Sequence, residues 1–413
     1  METTISEGRN AAGRVLAPHS LEEFFAEYYE RQPLHIERND ERYFSDVYSV
    51  AEIENSLVTG AREIDRFAMV SASAGELPHN EFTILRPALR GAATGRAPTA
   101  NIDPGKVLAY FGKGYTLIVK DAGLFSATLQ RFCTALHRDL HAYAQANVYF
   151  TPPSAQGFAV HHDTHDTLTI QIDGVKTWKI YDPVIQLPTE TQPFPSGADV
   201  PVRLNREVTL YPGDTLYVPR GFPHEAMTSS SGRSVHVTFA LAPVRIMDVL
   251  TTLVGIACDA DVELRRSFPR GWEHDPQFVK MFAQRALDTF VRACTPERIH
   301  AAREIALASE FFLERANLRE GFDRIEHLET IADNAIVRVR EDVPYDVRIG
   351  ETVISVLLPS RSIVFPAFCR RALEQLAQGP VRFGAFDPEL ALENRYVLVR
   401  LLANEGVLEI SPP

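Results

Sequence analysis

Five of the 13 histidines in this 413-residue chain fall between residues 161 and 236. Their centre is the run Val160-His-His-Asp-Thr-His-Asp166. Within it His161 and Asp163 stand two apart, and on an extended strand residues i and i+2 share a face. An imidazole and a carboxylate on one face are two ligands for a metal, so a third must come from another strand. His224 offers it at the end of Tyr217-Val-Pro-Arg-Gly-Phe-Pro-His224, at a strand end after a turn. Two His and one carboxylate on one side of an octahedral ion leave the remaining positions open. That is the ligand set of non-haem Fe(II) oxygenases, which bind a co-substrate and O2 there. Zinc also accepts His and Asp, which makes a hydrolytic zinc site the chemical rival. The sequence contains no HExxH, GxSxG or P-loop pattern, so those mechanisms have no support.

Such a triad needs rigid strands to converge it. From residue 146 the chain is a series of short β-rich runs: NVYF, TLTIQI, TWKIY, VTLY, DTLYVP and SVHVTFAL. Turns such as Asp173-Gly174 and Pro212-Gly-Asp214 separate them, and this spacing suggests a barrel or sandwich. Upstream, Ser20-Leu-Glu-Glu23 offers a capping box before Leu21, Phe24, Phe25 and Tyr28, and 30–36 reads as a turn into a strand. After Pro243 the pattern is helical to about residue 330, with apolar spacing in 277–293 and 301–315. The last 80 or so residues mix strands (VISVLL, SIVF) with helices at 366–378 and 388–405 and a closing strand at 407–410. That order is winged-helix-like. Hydrophobic residues make up 45% and charged residues 23% of the chain, as in a soluble globular protein. The net charge of -12 argues against generic nucleic-acid binding, and the last helix sets Arg395 and Arg400 against Glu389, Glu393 and Glu405. No apolar run is long enough to span a membrane, and the four scattered cysteines point to reduced thiols, so a cytoplasmic protein is expected.

The run Asn147-Val-Tyr-Phe-Thr-Pro, continued by Gln-Gly-Phe-Ala-Val-His161-His-Asp163 and Thr-Leu-Thr-Ile-Gln171-Ile-Asp-Gly174-Val-Lys176-Thr-Trp178, carries a resemblance. With Pro212-Gly-Asp214 and Pro219-Arg-Gly-Phe-Pro-His224, it resembles the JmjC-domain, cupin-4 type ribosomal oxygenases. The resemblance is strongest over 145–242 and weaker over 22–36 and the C-terminal part. It implies an Fe(II)- and 2-oxoglutarate-dependent protein hydroxylase that uses O2 and releases succinate and CO2. On that resemblance His161, Asp163 and His224 match the iron triad. Lys176, one of only six lysines, matches the cation that pairs with the far carboxylate of 2-oxoglutarate, and Arg220 is the next candidate for that task. Asn147 and His236 match positions near the cofactor or substrate, although Asn147 also reads as a strand-end turn residue and His236 as a core histidine. Trp178 reads as core. His162, Thr164, His165 and Asp166 depart from the motif and are expected to line the barrel mouth, where they select the substrate side chain.

The implied fold is mixed α+β: a JmjC double-stranded β-helix, cupin-like, then a helical dimerisation region and a winged-helix-like C-terminal domain. The boundaries expected are 1–244, 245–328 and 329–413. A homodimer through 246–325 is expected, because Phe278, Met281, Phe282, Phe290, Phe311, Phe312 and Leu313 exceed what one small bundle buries. The substrate expected is a protein or peptide, either a ribosomal protein or a natural-product precursor. A metal-free cupin-like scaffold and a ligand-sensing winged-helix regulator are the readings from other classes.

Overall fold

A computed structural model of the chain describes residues 11–86, 99–195, 200–267, 270–311, 331–340, 343, 345–349, 353–358 and 361–411. The chain divides into two compact units, Met1–Ala242 and Pro243–Pro413.

The first unit contains strands β1 (Leu34–Ile36), β2 (Phe67–Ser71), β3 (Gly75–Glu76), β4 (Thr83–Arg86), β5 (Thr99–Ile102), β6 (Thr116–Val119) and β7 (Ala142–Thr151). They are followed by β8 (Asp166–Asp173), β9 (Lys176–Tyr181), β10 (Leu204–Leu210), β11 (Thr215–Val218), β12 (His224–Thr228) and β13 (Ser234–Pro243). A large sheet runs β1-β11-β8-β13-β7-β6-β2-β3, a smaller one β10-β9-β12, and β4 pairs with β5. The pairs β1/β11, β11/β8, β13/β8, β6/β7, β10/β9 and β12/β9 are all antiparallel.

Period-2 alternation gives the large sheet two unlike faces. Leu168 and Ile170 of β8, Val235, Val237 and Phe239 of β13, and Ala142, Ala144, Ala146 and Val148 of β7 join the main apolar core. Helix Ala127–Leu140 covers that face with Leu129, Cys133, Leu136 and Leu140, and Ser126 caps it by accepting the Leu129 N–H. The interleaved residues Tyr149, Thr167, Thr169, His236 and Thr238 line a polar cavity instead. The small sheet closes the cavity from the other side with Lys176 and Trp178 of β9 and His224 of β12. Emptying a core position such as Leu168 or Phe239 costs about 2–5 kcal/mol, so the apolar face holds the polar one in place.

At the N-terminal end Ser20 Oγ accepts the Glu23 N–H, as the capping pattern requires, and the helix Leu21–Glu23 widens into a π turn over Phe24–Tyr28. Phe24 is buried edge-on against Tyr217, with ring centroids 4.9 Å apart. The turn at Gly174 sets the start of β9. Gly174 has φ +63°, and a Cβ there would lie 1.8 Å from the Arg233 carbonyl oxygen, so only glycine fits. Gln171 Nε2 donates to the Asp173 and Gly174 carbonyls and to Ser234 Oγ, fastening the same turn.

In the second unit, helices Ile246–Ala260, Pro276–Ala293 and Pro296–Phe311 precede β14 (Ile336–Val339), β15 (Asp346–Ile349), β16 (Val353–Leu358), β17 (Arg361–Pro366), β18 (Val381–Arg382) and β19 (Leu408–Ser411). These strands form two sheets, β18-β14-β19 and β15-β16-β17. The helix expected from 366 starts later: Pro366 ends β17 in extended conformation, Ala367–Cys369 form a 3-10 turn, and the α-helix begins at Arg370. The last helix spans Leu392–Asn404, four residues shorter at its start than the periodicity suggested. The expected domain boundary at 328, the end of the 301–315 helix, Phe312 and Leu313 lie outside the described residues. No helix among the described residues is long and apolar enough to cross a membrane.

Gly174→Ala is expected to lower stability by at least about 1–2 kcal/mol, the cost of left-handed backbone in an L-residue, with the carbonyl clash added. Gly232→Ala on the same side of the turn meets open space and is expected to leave stability unchanged. Denaturant unfolding of the two variants checks this.

Candidate metal centre

His161 does not sit on a continuous strand. It forms an isolated antiparallel bridge with His224, and Asp163 follows in irregular chain before β8 begins at Asp166. This corrects the expectation that strand alternation aligns His161 with Asp163. Here the backbone does it. His224 N donates to His161 O at 2.8 Å and His161 N to His224 O at 3.2 Å, while Gly221 N donates to Asp163 O at 3.1 Å. Gly221 is left-handed, φ +88°, and a Cβ there would lie 2.3 Å from the Ile185 carbonyl oxygen.

The three side chains converge. His161 Nε2 lies 3.8 Å from Asp163 Oδ1 and His224 Nε2 3.7 Å from Asp163 Oδ2. One ligand atom from each falls within 4.8 Å of the others. Each imidazole turns its Nδ1 to a backbone carbonyl, His161 to Ala159 O at 2.9 Å and His224 to Phe222 O at 3.1 Å. A carbonyl only accepts, so Nδ1 carries the proton and the Nε2 lone pair of both rings faces Asp163, the tautomer a metal ligand needs. Burial pushes His224 down to about 4, keeping it neutral. Burial pushes the Asp163 carboxyl up, and the positive charge that His224, His165, His161 and His162 carry when protonated pulls it below its ordinary value.

Deeper in the same cavity, Lys176 is 3% exposed and donates to Thr151 Oγ1 at 2.8 Å, which also accepts from Thr116 Oγ1. No carboxylate pairs with it among the described residues. Burial alone lowers its ammonium from 10.5 to about 7. His236 stacks on Tyr149 (centroids 4.7 Å, 8°) and meets Trp178 edge-on. Its Nδ1 and the Trp178 Nε1 are buried with no hydrogen-bond partner among the described residues. A buried cation without an anion and two unsatisfied nitrogens in one cavity are what a small dicarboxylate fits. Trp178 therefore belongs to the cavity wall as well as to the core of the small sheet.

Other positions land elsewhere. Asn147 precedes Tyr149 by two on β7, and its Oδ1 accepts the N–H of Asp121, a left-handed residue, at 3.0 Å. It does not line the cavity. His162 is buried, with Nε2 against Gln192 O and its ring edge-on to Phe194. Asp166 is fully buried, so neither residue lines the mouth as expected. Arg220 is already paired with Asp166 and Glu30 and is no alternative anchor for a co-substrate. Tyr149, Phe158 and the cavity threonines were not singled out from the sequence, although the Thr-x-Thr of β8 and His-x-Thr of β13 mark the polar face by alternation.

Two antiparallel sheets flank a His/Asp/His cluster that could hold a metal ion, an arrangement consistent with a cupin fold. Residues 124–249 match the JmjC domain family, and the chain resembles the ribosomal oxygenases. It is 29% identical over 286 residues to the bifunctional lysine-specific demethylase and histidyl-hydroxylase NO66 of Drosophila willistoni, covering 66% of this chain and 35% of that protein. It is 28% identical over 264 residues to ribosomal oxygenase 1 of Gallus gallus, covering 62% and 41%. The chain thus spans about two fifths or less of those relatives' length. The structure of YcfD, a ribosomal oxygenase from Escherichia coli, in complex with cobalt and 2-oxoglutarate, superposes with TM-score 0.53 at 17% identity, over 96% of this chain and 99% of that one.

The Lys176 ammonium has a pH consequence. Between about pH 7 and its ordinary 10.5 the unfolded chain holds a proton that the folded chain has released, so raising pH through this window favours the fold. Below pH 7 both states are charged and the burial penalty is complete. Lys176→Met is therefore expected to raise the melting temperature of the ligand-free protein most below pH 7, with the gain shrinking toward pH 10. Paired thermal melts across this range check it, and a difference independent of pH contradicts it.

Proposed function

We propose that the chain is an Fe(II)- and 2-oxoglutarate-dependent oxygenase that hydroxylates a side chain of a protein or peptide. The observation that carries this reading is the convergence of His161, Asp163 and His224 at the mouth of a cavity whose interior holds the unpaired cation Lys176. Similarity to proteins named histidyl-hydroxylase and ribosomal oxygenase supports it, as does a similar fold solved with cobalt and 2-oxoglutarate.

His161, Asp163 and His224 would hold Fe(II), which with 2-oxoglutarate and O2 would supply the oxidising power, with succinate and CO2 as co-products. The chain's own residues do the positioning. The two Nδ1–H groups, fixed on Ala159 and Phe222 carbonyls, aim both rings. Lys176 pairs with the far carboxylate of 2-oxoglutarate, which restores its full positive charge, and Thr151 holds the ammonium in place. Trp178 and His236 line the co-substrate pocket, each with a buried ring nitrogen that has no hydrogen-bond partner among the described residues. The ribosomal oxygenases make a ribosomal protein the first substrate to test and a natural-product precursor peptide the second.

We assign the remaining chain by the same reading, with a catalytic domain over 1–244, a dimerisation region over 245–328 and a winged-helix-like docking domain over 329–413. Helices Ile246–Ala260 and Pro276–Ala293 flank an apolar groove of about 740 Å3. Leu250, Met281, Phe282, Leu287 and Val291 are exposed on them, an apolar surface of the kind that marks an interface. No disulfide joins cysteines among the described residues, in keeping with a cytoplasmic site of action.

Mass spectrometry of candidate peptides incubated with the protein, Fe(II), ascorbate and 2-oxoglutarate is expected to find one added oxygen. Asp163→Ala is expected to abolish 2-oxoglutarate turnover, and persistence of turnover in that variant would sink the triad. Lys176→Ala leaves the far carboxylate unpaired. It is expected to cost roughly 3–5 kcal/mol of co-substrate binding, raising the apparent 2-oxoglutarate constant by about two to four orders of magnitude with metal binding intact. Lys176→Arg is expected to keep part of the activity. Light scattering at micromolar concentration is expected to give a dimer.

A further inference from the structure

Besides the β11/β8 ladder, which pairs Val218 with Thr167, and the Thr167 hydroxyl that donates to the Val218 carbonyl, three links join the chain segment that carries Asp163 to the one that carries His224. Two are backbone links at the centre itself, the His161/His224 bridge and the Gly221 N–H to Asp163 O bond. The third lies behind it and uses side chains. Asp166, three residues after Asp163, is fully buried. Its Oδ1 accepts the Arg220 backbone N–H at 2.9 Å and lies 3.4 Å from Arg220 Nη1, and its Oδ2 accepts from Tyr217 OH at 3.0 Å. Arg220, four residues before His224, is itself buried. Its Nη1 reaches Glu30 Oε1 at 2.6 Å. Glu30 holds a left-handed backbone, φ 56°, uncommon for a non-glycine residue, and its N–H donates to Tyr217 OH at 3.0 Å. The N-terminal segment that carries Glu30 is fastened by β1, which pairs Leu34 with Tyr217.

None of these side chains lines the metal cavity. A buried arginine between two carboxylates is tolerable only while both are present, since removing a partner strands a buried charge. We propose that Glu30, Arg220 and Asp166 form a positioning clamp that holds the Asp163 and His224 segments at metal-binding separation. The clamp rests on the metal-centre reading of His161, Asp163 and His224. It makes the N-terminal segment, remote in sequence, a determinant of metal affinity. Arg220 is therefore a positioning residue, committed to the protein's own carboxylates.

Co(II) is the probe, because its visible absorption reports ligand geometry as well as occupancy. Titrations compare the full-length protein with Glu30→Gln, Arg220→Met and Arg220→Lys, alongside thermal melts of the metal-free proteins. Glu30 is half-exposed, so Glu30→Gln keeps the test open even where Arg220→Met fails to fold. The clamp predicts that Glu30→Gln weakens Co(II) binding about threefold or more and alters the bound spectrum. Arg220→Met is expected to weaken it at least tenfold, and Arg220→Lys to recover part of both. Folded Glu30→Gln protein with wild-type Co(II) affinity and spectrum overturns the clamp. Wild-type protein that binds no Co(II) overturns the metal-centre reading itself, and the clamp with it.

Discussion

The backbone pairing of His161 with His224 is the constraint on which the rest of the site depends. By exchanging both N–H···O bonds, the two residues fix the spacing of two imidazoles that stand 63 positions apart in the chain. Everything nearby serves that register. The left-handed Gly221 lets the Pro219–His224 segment pass close to the 185–188 segment and hand its N–H to Asp163. Backbone carbonyls two residues before each histidine fix its tautomer. The geometry is thus built from main-chain hydrogen bonds, which are less forgiving of displacement than side-chain contacts.

The cavity behind the centre is an energetic anomaly that function resolves. A lysine with no carboxylate partner among the described residues destabilises the fold by desolvation, as the fall of its ammonium to about 7 reflects. Beside it stand an indole N–H and an imidazole nitrogen without partners. Apolar replacements would pack there without penalty, so this polar set is stabilised only by an anion that satisfies it. The large sheet tolerates it because its other face is anchored in the main core through Leu168, Ile170, Val237 and Phe239.

Much of this was legible in the sequence. The Thr-Leu-Thr-Ile run of β8 announces its two faces, and the His161, Asp163 and His224 set is visible from residue type and spacing. What was not legible depended on contacts between distant segments. The strand β12 reads His-Glu-Ala-Met-Thr, too polar to stand out, yet it pairs along β9 and carries a histidine of the centre. Asp166 looked like a mouth residue until the fold placed Arg220 and Tyr217 against it. The His-x-Asp pair looked like a strand face but is held by a single bridge at His161 and the Gly221 N–H at Asp163. The helices expected from 366 and 388 begin at Arg370 and Leu392, the first behind a 3-10 turn that apolar spacing does not mark.

The most direct test of this account is the amount of Fe(II) bound per chain under anaerobic equilibrium dialysis, with and without 2-oxoglutarate. A centre of His161, Asp163 and His224 in one cavity with Lys176 predicts one ion per chain. A co-substrate that itself ligates the iron, as this reading holds, tightens iron binding, and linkage makes that coupling reciprocal. One ion per chain, held more tightly with 2-oxoglutarate present, is the predicted result. No bound iron, or iron binding indifferent to 2-oxoglutarate, would contradict it.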